Sequence, residues 1–413
     1  MPKITAIETT VPANIMTNLI LVRIHTDDGF IGCGETYYTP RAIEALIHDW
    51  MAERLIGQEA TDIESHWRFL YERCTAFGYP GAELRALSAL DVALWDILGQ
   101  ACGQPVWKLL GGCTQDRVRI YNTCGGPGYG TLQQEPVHGK HPGWPGYGDE
   151  GQSGPLQDNW SSIHAPGDLA EELVAEGITG MKMWPFDRYA HRSGGLYLSA
   201  ADIEAGMKPL REIRDRVGDQ IEIMIEGHAF FQLPSALQLA RALKEIRPFW
   251  LEDVLRVDNV ETLADFRRQS GLPIAASEML LGRPAYLSLL QAQAADYVMV
   301  DPTWSGGISE TRRIVDLAQS FNVPVTMHDC TGPLTMYSGL HCAVASGNVV
   351  LQETVRAHIR TFYEQLIDRQ PVIEDGFLVP PADSGLGTTF LPELFQSGHN
   401  HHRVSGRLQE LGS

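Results

Sequence analysis

Three glutamates recur at a fixed interval, each at the end of a short apolar run. Glu226, Glu252 and Glu278 are 26 residues apart in both intervals (226 to 252 and 252 to 278). A strand, a loop, a helix and a return loop take about this length, because a parallel crossover needs a dozen residues or more. Neighbouring parallel strands would then present one carboxylate each at the same edge of a sheet. Mg²⁺ prefers oxygen ligands, so the spacing predicts a Mg²⁺ site; the alternative is that each acidic residue only caps the next helix.

Other groups that titrate or donate hydrogen bonds stand at the ends of similar runs. They are Lys182, His228, Asp301, His328 and Glu353. If Asp301 and His328 end neighbouring strands, the aspartate can bind one ring nitrogen of the histidine and fix its tautomer. We therefore interpret His328 as a catalytic residue rather than a structural histidine at a strand end.

The elements that would position these groups are alternating strands and helices from about residue 117 onward. Short apolar runs predict eight strands, at 118–122, 180–184, 221–226, 249–253, 273–278, 297–301, 324–329 and 349–354. Helical patterns lie between them, near 168–176, 202–217, 235–246, 259–269, 284–294, 309–321 and 334–346. Eight such strands are typical of a closed parallel α/β barrel, in which the carboxyl ends of the strands carry the chemistry. The alternative is an open doubly wound sheet, but no G-x-G-x-x-G follows a predicted strand.

The first hundred residues follow a different pattern. Alternating runs at 4–11, 18–26 and 30–35, with a turn at Asp27-Asp28-Gly29, predict a small antiparallel meander. Helical patterns follow at 40–56, 61–74 and 80–101. Strands followed by helices predict a separate α+β domain, which we place at residues 1–113, with the barrel at 114–360.

Composition and charge exclude several classes of protein. The 413 residues carry 32 basic and 51 acidic side chains, and the formal net charge of −19 argues against nucleic-acid or anionic-membrane surfaces. The seven cysteines form no C-x-x-C pair, as expected of reduced thiols in a cytoplasmic protein. The start has no apolar signal core, and no apolar run approaches membrane length. We expect a cytoplasmic protein; the charge does not exclude an anionic small substrate.

A set of short motifs, in order along most of the chain, resembles the enolase superfamily. The motifs are Ala89–Asp96, Gly180–Trp184, Phe249–Asp253, Ser277-Glu278, Val300–Pro302 with Gly306–Glu310, Met327-His328 with Gly332-Pro333, and Leu351–Glu353. Together they are similar to the mandelate racemase/muconate lactonizing enzyme branch and to its galactonate- and mannonate-like sugar-acid dehydratases. The resemblance implies an N-terminal α+β capping domain, a modified TIM barrel of the (β/α)7β type, and a C-terminal segment, 361–413, that returns to the cap.

The resemblance also implies a reaction. In this family a base removes the proton next to a carboxylate, and Mg²⁺ and hydrogen-bond donors stabilise the enediolate that forms. Carried over by position, the three glutamates hold Mg²⁺, and His328 with Asp301 is the base. Glu353 hydrogen-bonds the substrate carboxylate.

Two positions depart from the family pattern. Glu226 stands where relatives usually have Asp, and Trp184 stands where many have a second lysine, after Lys182. Trp cannot take a proton, so a lysine base opposite His328 is missing unless Lys182 moves in. A dehydratase needs one base and one acid, and Glu226-Gly227-His228 resembles the Asp-x-His of galactonate and mannonate dehydratases. The resemblance therefore implies dehydration of a sugar acid to a 2-keto-3-deoxy acid, with His228 as the acid.

Other readings stay open. A racemase, epimerase or cycloisomerase of the same fold would use His228 or Lys182 as a second proton carrier. A catalytically silent protein on an enolase-like scaffold is favoured by the two departures and opposed by the intact set of His328, Asp301 and Glu353. His228 could also only cap a helix or pack beneath a loop.

The stretch 125–167 is dense in Gly, Pro, Trp and His and follows the first barrel strand, which predicts a long irregular loop at the active-site rim. It is either a lid, with Trp144 or Trp160 excluding water, or a subunit contact.

In the family, loops of the cap select the substrate, and Asn14–Thr17 and Tyr37-Tyr38 occupy those places. We expect a homo-oligomer, from dimer to octamer, with an acid sugar as its small-molecule partner.

Overall fold

The N-terminal part of the chain forms an antiparallel sheet covered by helices. The computed structural model describes residues 1–12, 14–77, 80–130, 152–396 and 401–408. Its first strands are β1 (Ile4–Val11), β2 (Leu19–Thr26) and β3 (Ile31–Tyr37). The helices that follow are α1 (Pro40–Leu46), a π-helical segment (Ile47–Met51), α2 (Ala52–Leu55), α3 (Ile63–Cys74), α4 (Ala82–Cys102) and α5 (Val106–Leu109).

Eight parallel strands form a closed barrel, which confirms the predicted fold. The strands are β4 (Val118–Thr123), β5 (Gly180–Met183), β6 (Glu222–Glu226), β7 (Trp250–Glu252), β8 (Ile274–Ala276), β9 (Tyr297–Val300), β10 (Val325–Met327) and β11 (Val349–Thr354). Each pairs with its neighbour in sequence, and β11 closes the barrel onto β4.

Helices surround this barrel. They are α6 (Asp158–His164), α7 (Pro166–Ala175), α8 (Asp187–Ser193), α9 (Ala200–Val217), α10 (Leu233–Leu243), α11 (Val260–Ser270), α12 (Arg283–Gln291), α13 (Gly307–Ser320), α14 (Pro333–Val344) and α15 (Arg356–Thr361). Across the described part of the chain, none of the helices is long and apolar enough to span a membrane.

The residues after α15 extend the barrel sheet and then the N-terminal sheet. Two short strands, β12 (Val372–Glu374) and β13 (Phe377–Val379), form a hairpin, and β13 pairs antiparallel with the start of β4. The last strand, β14 (His401–Gly406), pairs antiparallel with β1 and lies at the edge of the N-terminal sheet. The end of the described chain therefore lies against its beginning.

The barrel interior is filled below the site by side chains from six of its eight strands. This layer consists of Tyr121, Met224, Trp250, Ala275, Met299 and Leu351, all buried. Inward-facing side chains fill a TIM barrel in layers, so the barrel is a packed core and not a pore. The layer forms the floor beneath the polar groups at the carboxyl ends of the strands.

Close backbone contact explains two glycines of β3. A Cβ at Gly32 would lie 2.0 Å from the carbonyl oxygen of Ala93, and a Cβ at Gly34 would lie 2.0 Å from that of Ala89. Only a residue without a side chain lets the strand approach α4 this closely. The sheet of the N-terminal part is thereby packed tightly against the helix that faces the barrel.

Two of the family-like motifs meet at the contact between α4 and α13. The carboxylate of Asp91 accepts hydrogen bonds from the backbone N–H (3.0 Å) and the hydroxyl (2.6 Å) of Ser309. Trp95 Nε1 donates to the same hydroxyl at 2.8 Å. Gly307 has φ +82°, and a Cβ there would lie 2.2 Å from Asp91 Oδ2. Burial raises the pKa of Asp91 to about 7. The motifs thus fix the start of α13, which follows the strand that leads to Asp301.

A buried ion-pair network anchors the chain after β11. Arg356 binds both oxygens of Asp158, at 2.7 and 2.8 Å, and also Glu172 and Glu176, at 3.0 and 2.8 Å. The side chains of Arg356 and Asp158 are only 4% and 2% exposed. Asn122, in β4, donates to the same aspartate at 2.9 Å. The network therefore joins α6 and α7 to the mouth of the barrel.

We expect Arg356→Met to lower the free energy of unfolding by about 3–5 kcal/mol, because it leaves the Asp158 carboxylate buried without its cation. Denaturant unfolding of the purified protein measures the loss. Arg360→Met is the matched control: Arg360 lies one turn later in α15, is 45% exposed and pairs with Glu176, so its loss should be at most about 1 kcal/mol. Equal losses in both variants would contradict this account of the network.

Candidate active site

The three glutamates singled out by their spacing come together at the barrel mouth. Glu226 and Glu252 end β6 and β7 and are direct partners in register. Glu252 also pairs with Ala275 of β8, so Glu278 lies three residues beyond that level. The three glutamates are equally spaced in sequence, but Glu278 is not level with the other two in the sheet. The chain that follows Ala276 places its carboxylate beside those of Glu226 and Glu252. One oxygen from each of the three lies within 4.8 Å of the others.

The cluster fits a hard divalent cation. The bare charges of two members are disfavoured: burial raises the pKa of Glu226 to about 7, and burial followed by the charge of Glu226 raises the pKa of Glu252 well above its ordinary value. Burial would also raise the pKa of Glu278, but His328 outweighs it and lowers that pKa to about 2. A cation among the three would remove this penalty, and a set of carboxylate oxygens is the donor set that Mg²⁺ prefers. The residues present therefore fit a Mg²⁺ ion.

The longer side chain of Glu226 is accommodated at the strand end. Its Oε1 accepts hydrogen bonds from the backbone N–H groups of Gly227 (3.1 Å) and His228 (2.8 Å). His228 and Ala229 have left-handed backbone, at φ +43° and +58°. Such conformations are costly for residues other than glycine and cluster at functional sites. The turn holds one oxygen of Glu226 and leaves Oε2 on the side of Lys182, 3.3 Å from Nζ.

Lys182 lies among carboxylates at the end of β5. Its Nζ is 2.5 Å from Glu252 Oε1 and 2.9 Å from Glu353 Oε1. Burial alone would lower the pKa of Lys182, but Glu252 and Glu353 outweigh it and hold the pKa well above its ordinary value. In this arrangement Lys182 is a buried cation that pairs with two carboxylates.

His328 and Asp301 form the predicted pair. His328 Nδ1 lies 2.8 Å from Asp301 Oδ2, and Nε2 lies 2.7 Å from Glu278 Oε2. The ring of Trp304 packs against the imidazole with centroids 4.9 Å apart. Burial would lower the pKa of His328, but the charge of Glu278 reverses this and raises it. Asp301 and Trp304 thus fix the ring, with Nε2 directed at the carboxylate cluster.

His228 has a carboxylate partner that sequence reasoning missed. Its Nδ1 lies 2.5 Å from Oδ2 of Asp187, the first residue of α8, and both side chains are buried. Burial raises the pKa of Asp187, and the nearby His228 opposes the rise. The one signal in the sequence was a carboxylate shortly after the predicted second barrel strand. The sequence pattern alone does not connect this aspartate to His228, which follows the third barrel strand.

Glu353 accepts hydrogen bonds from several sides. Lys182 and the hydroxyl of Thr123 donate to Oε1, and the backbone N–H of Asp329 donates to Oε2 at 3.1 Å. Burial would raise the pKa of Glu353, but Lys182 and His328 outweigh it and lower the pKa. In this arrangement Glu353 is a hydrogen-bond acceptor at both oxygens, and its contact with a substrate carboxylate stays a prediction.

Comparisons with known proteins decide the family. A profile described as the enolase C-terminal domain-like family matches residues 166–394, more than half of the chain, and one described as the mandelate racemase/muconate lactonizing enzyme N-terminal domain matches residues 2–111. The chain belongs to the enolase superfamily, in its mandelate racemase branch. The resemblance deduced from the motifs is thereby confirmed.

Three relatives illustrate the similarity. A D-galactonate dehydratase from Ralstonia nicotianae is 28% identical over 378 residues, which cover 89% of this chain and 87% of that protein. An enolase protein from Sargasso Sea environmental sequencing has a TM-score of 0.86 and 37% identity, over 99% of this chain and 100% of that one. A candidate galactarate dehydratase from Agrobacterium radiobacter, crystallised with sodium and L-malate, has a TM-score of 0.78 and 26% identity, over 95% and 94%.

In this superfamily member an aromatic wall occupies the place of the second lysine. Trp184 stacks on Tyr129 (centroids 5.2 Å apart, planes at 28°) and meets the ring of His228 edge-on at 5.5 Å. Tyr129 belongs to the loop after β4, whose Gly130 carbonyl accepts hydrogen bonds from Asn18 (2.7 Å) and from Tyr37. The wall therefore joins the barrel to the N-terminal part of the chain.

The predicted loop 125–167 is only partly described. Trp144 lies outside the described residues. The expectation of irregular chain is wrong for 158–164, which forms α6: Asp158 is held by Arg356, and Trp160 stacks on His164 one turn later, with centroids 4.8 Å apart. Tyr38, expected near the substrate, packs on Trp304 at 5.6 Å and thereby stands beside the ring that contacts His328.

Mg²⁺ should stabilise the protein if the three glutamates bind it. We expect saturating Mg²⁺ to raise the melting temperature relative to chelator, since a ligand at a hundred times its Kd adds about 2.7 kcal/mol. Glu252→Gln should remove this shift. Glu310→Gln is the control, because Glu310 is equally buried but pairs with Arg283 and Arg313, and its shift should persist. A wild-type melting temperature that is the same in chelator and in Mg²⁺ would count against the site.

Proposed function

We propose that this protein is a Mg²⁺-dependent dehydratase that converts a sugar acid, an aldonate of the galactonate kind, into a 2-keto-3-deoxy acid. The observation that carries the proposal is the placing of two imidazoles around one carboxylate cluster. His328 follows β10 and His228 follows β6, and these are four strands apart in a closed barrel of eight. They therefore stand on opposite sides of the mouth. One can act as base on C2 and the other as acid on the 3-hydroxyl.

Each proposed role follows from a contact. Asp301 holds Nδ1 of His328, so Nε2 takes the α-proton. His228 gives a proton to the departing 3-hydroxyl, which is a poor leaving group without it. Glu226, Glu252 and Glu278 would hold the ion, which when bound supplies positive charge next to the substrate carboxylate. Lys182 adds a fixed positive charge at the same place, and the wall of Trp184 and Tyr129 excludes water.

The comparisons support the substrate class in outline. One relative named D-galactonate dehydratase covers most of this chain, and a candidate galactarate dehydratase shares its fold over nearly all of it. Both names refer to dehydration of sugar acids. At about 28% identity the particular sugar acid does not carry over, so the substrate is proposed only as a class.

A screen tests the proposal directly. Purified protein with Mg²⁺ is incubated with a library of aldonates and aldarates, and 2-keto acids are detected by a carbonyl-specific reagent. We expect at least one acid sugar to yield a keto acid, and His328→Asn to abolish the signal for the same compound. No keto acid from any acid sugar would overturn the proposal.

A racemase, epimerase or cycloisomerase is the second candidate, and the same pair of imidazoles favours it, since two-base chemistry needs a proton carrier on each face. The discriminating result is exchange of the α-proton for solvent deuterium with the substrate mass otherwise unchanged. A silent enolase-like protein is disfavoured, because Asp301 is hydrogen-bonded to His328 and the three carboxylates lie together at the same barrel mouth.

A further inference from the structure

The acid side of the site repeats the arrangement of the base side. On the base side, Asp301 follows β9 and pairs with His328, which follows β10. On the acid side, Asp187 follows β5 and pairs with His228, which follows β6. In each pair, the carboxylate belongs to the chain that follows one barrel strand, and the imidazole belongs to the chain that follows the neighbouring strand. The two pairs are four strands apart and face each other across the barrel.

We infer that Asp187 is a positioning residue for His228, one that fixes the proton on Nδ1 and confines proton exchange with the substrate to Nε2. This inference rests on the proposed dehydratase function. In its ionised form the carboxylate of Asp187 accepts and does not donate, so the 2.5 Å contact makes Nδ1 the donor. Nε2 is then the ring nitrogen that Asp187 does not hold.

Asp187 is held rigidly enough for this role. Phe186, the preceding residue, is fully buried and packs against Gly206 of α9, where a Cβ would lie 2.3 Å from its ring. The backbone N–H of Asp187 donates to the carbonyl of Trp184. On the other side, Trp184 and Phe230 contact the imidazole, with centroids 5.5 and 5.9 Å away. The carboxylate and the ring are therefore both placed by packing, and Trp184 contributes to each side.

Asp187 would assist the departure of the 3-hydroxyl. His328 Nε2 takes the proton from C2, and the electron pair of that bond passes into the enediolate. The pair then forms the C2–C3 double bond as the C3–O bond breaks. The oxygen leaves with the C–O electrons and receives the proton of His228 Nε2, which gives water. His228 becomes neutral, and its remaining proton stays on Nδ1 against Asp187.

We expect Asp187→Asn to slow dehydration more than it slows exchange of the α-proton. Asp187→Asn should slow keto-acid formation by roughly 10–100-fold, the range found when a group that orients a metal-bound imidazole is lost. Exchange of the α-proton with D₂O depends on His328 and should continue. The ratio of exchange to dehydration should therefore rise by about tenfold or more, as in His228→Asn. Equal falls in both rates would overturn the catalytic part of the inference.

Two matched variants separate positioning from structural damage. Asp301→Asn makes the same change in the opposite pair and should slow exchange and dehydration together, so the ratio stays constant. Asp96→Asn removes another buried carboxylate, which accepts from the backbone N–H groups of Cys33 and Leu386 at 2.9 and 2.8 Å. It should lower the melting temperature without changing the ratio.

A spectroscopic readout tests the inference without any substrate. In Mg²⁺-loaded full-length protein labelled with ¹⁵N-histidine, the Nδ1–H proton of His228 should appear far downfield, identified by its loss in His228→Asn. Asp187→Asn should remove or shift this signal and leave that of His328, and Asp301→Asn should do the reverse. A His228 signal that is unchanged in Asp187→Asn would overturn the inference. If the wild type makes no keto acid, the proposed function fails, and the spectrum still decides whether Asp187 positions His228.

Discussion

His328→Asn should abolish both keto-acid formation and exchange of the α-proton. Asparagine has a similar shape but cannot take a proton, and it replaces the imidazole that lies between Glu278 and Asp301. We expect a loss at or beyond the upper end of the roughly 10²–10⁴-fold typical of general acid–base catalysis, because the base itself is removed. NMR detection of deuterium at C2 and a keto-acid assay measure the two steps separately.

The control for this variant is a histidine with a structural environment. His341, in α14, accepts a hydrogen bond from the backbone N–H of Trp107 at 3.1 Å and lies 3.1 Å from the carbonyl of Leu386. Burial lowers the pKa of His341 to about 4, so it is neutral at working pH. His341→Asn should affect stability and leave the exchange rate per folded molecule unchanged. If His328→Asn still exchanged its α-proton at the normal rate, the base would lie elsewhere, and Lys182 would be tested next.

His228→Asn should block loss of water while leaving the α-proton exchangeable. The imidazole stands across the barrel from His328, so its removal does not touch the base. The 3-hydroxyl then lacks a proton donor, and dehydration should fall by about 10²–10⁴-fold. Deuterium should wash into C2 of unreacted substrate, in the same NMR assay. Normal turnover by His228→Asn would show that the acid is another group, with protonated His328 the first candidate.

Much of the fold was predictable because the barrel strands are short apolar runs separated by helices of regular length. The spacing of Glu226 and Glu252 corresponds to direct partners in register. Glu278 fits the same spacing for a different reason, since β8 ends at Ala276 and the carboxylate reaches the cluster from the following loop. Periodicity can place a residue near the mouth of a barrel, but it does not give the conformation of the chain past the strand.

The parts that sequence reasoning missed depend on tertiary contacts. Asp187 meets His228 only because β5 and β6 are neighbours and α8 begins where Phe186 is buried. Segment 158–164 is helical, and Arg356, almost two hundred residues later, binds its first residue, Asp158. Neither contact leaves a local pattern. The sequence showed the family motif at Asp91. It did not show that Asp91 binds Ser309 at the start of α13.

Incubation of the wild-type protein in D₂O separates dehydration from racemisation. The wild-type protein and Mg²⁺ are incubated in D₂O with the acid sugar that responds in the screen, and the products are analysed by mass spectrometry and NMR. We predict a 2-keto acid that is one water molecule lighter than the substrate. It should carry one solvent deuterium at C3, because the enol takes a proton from solvent at C3 when it becomes the ketone. Substrate of unchanged composition with deuterium at C2 would contradict dehydration and identify the protein as a racemase or epimerase.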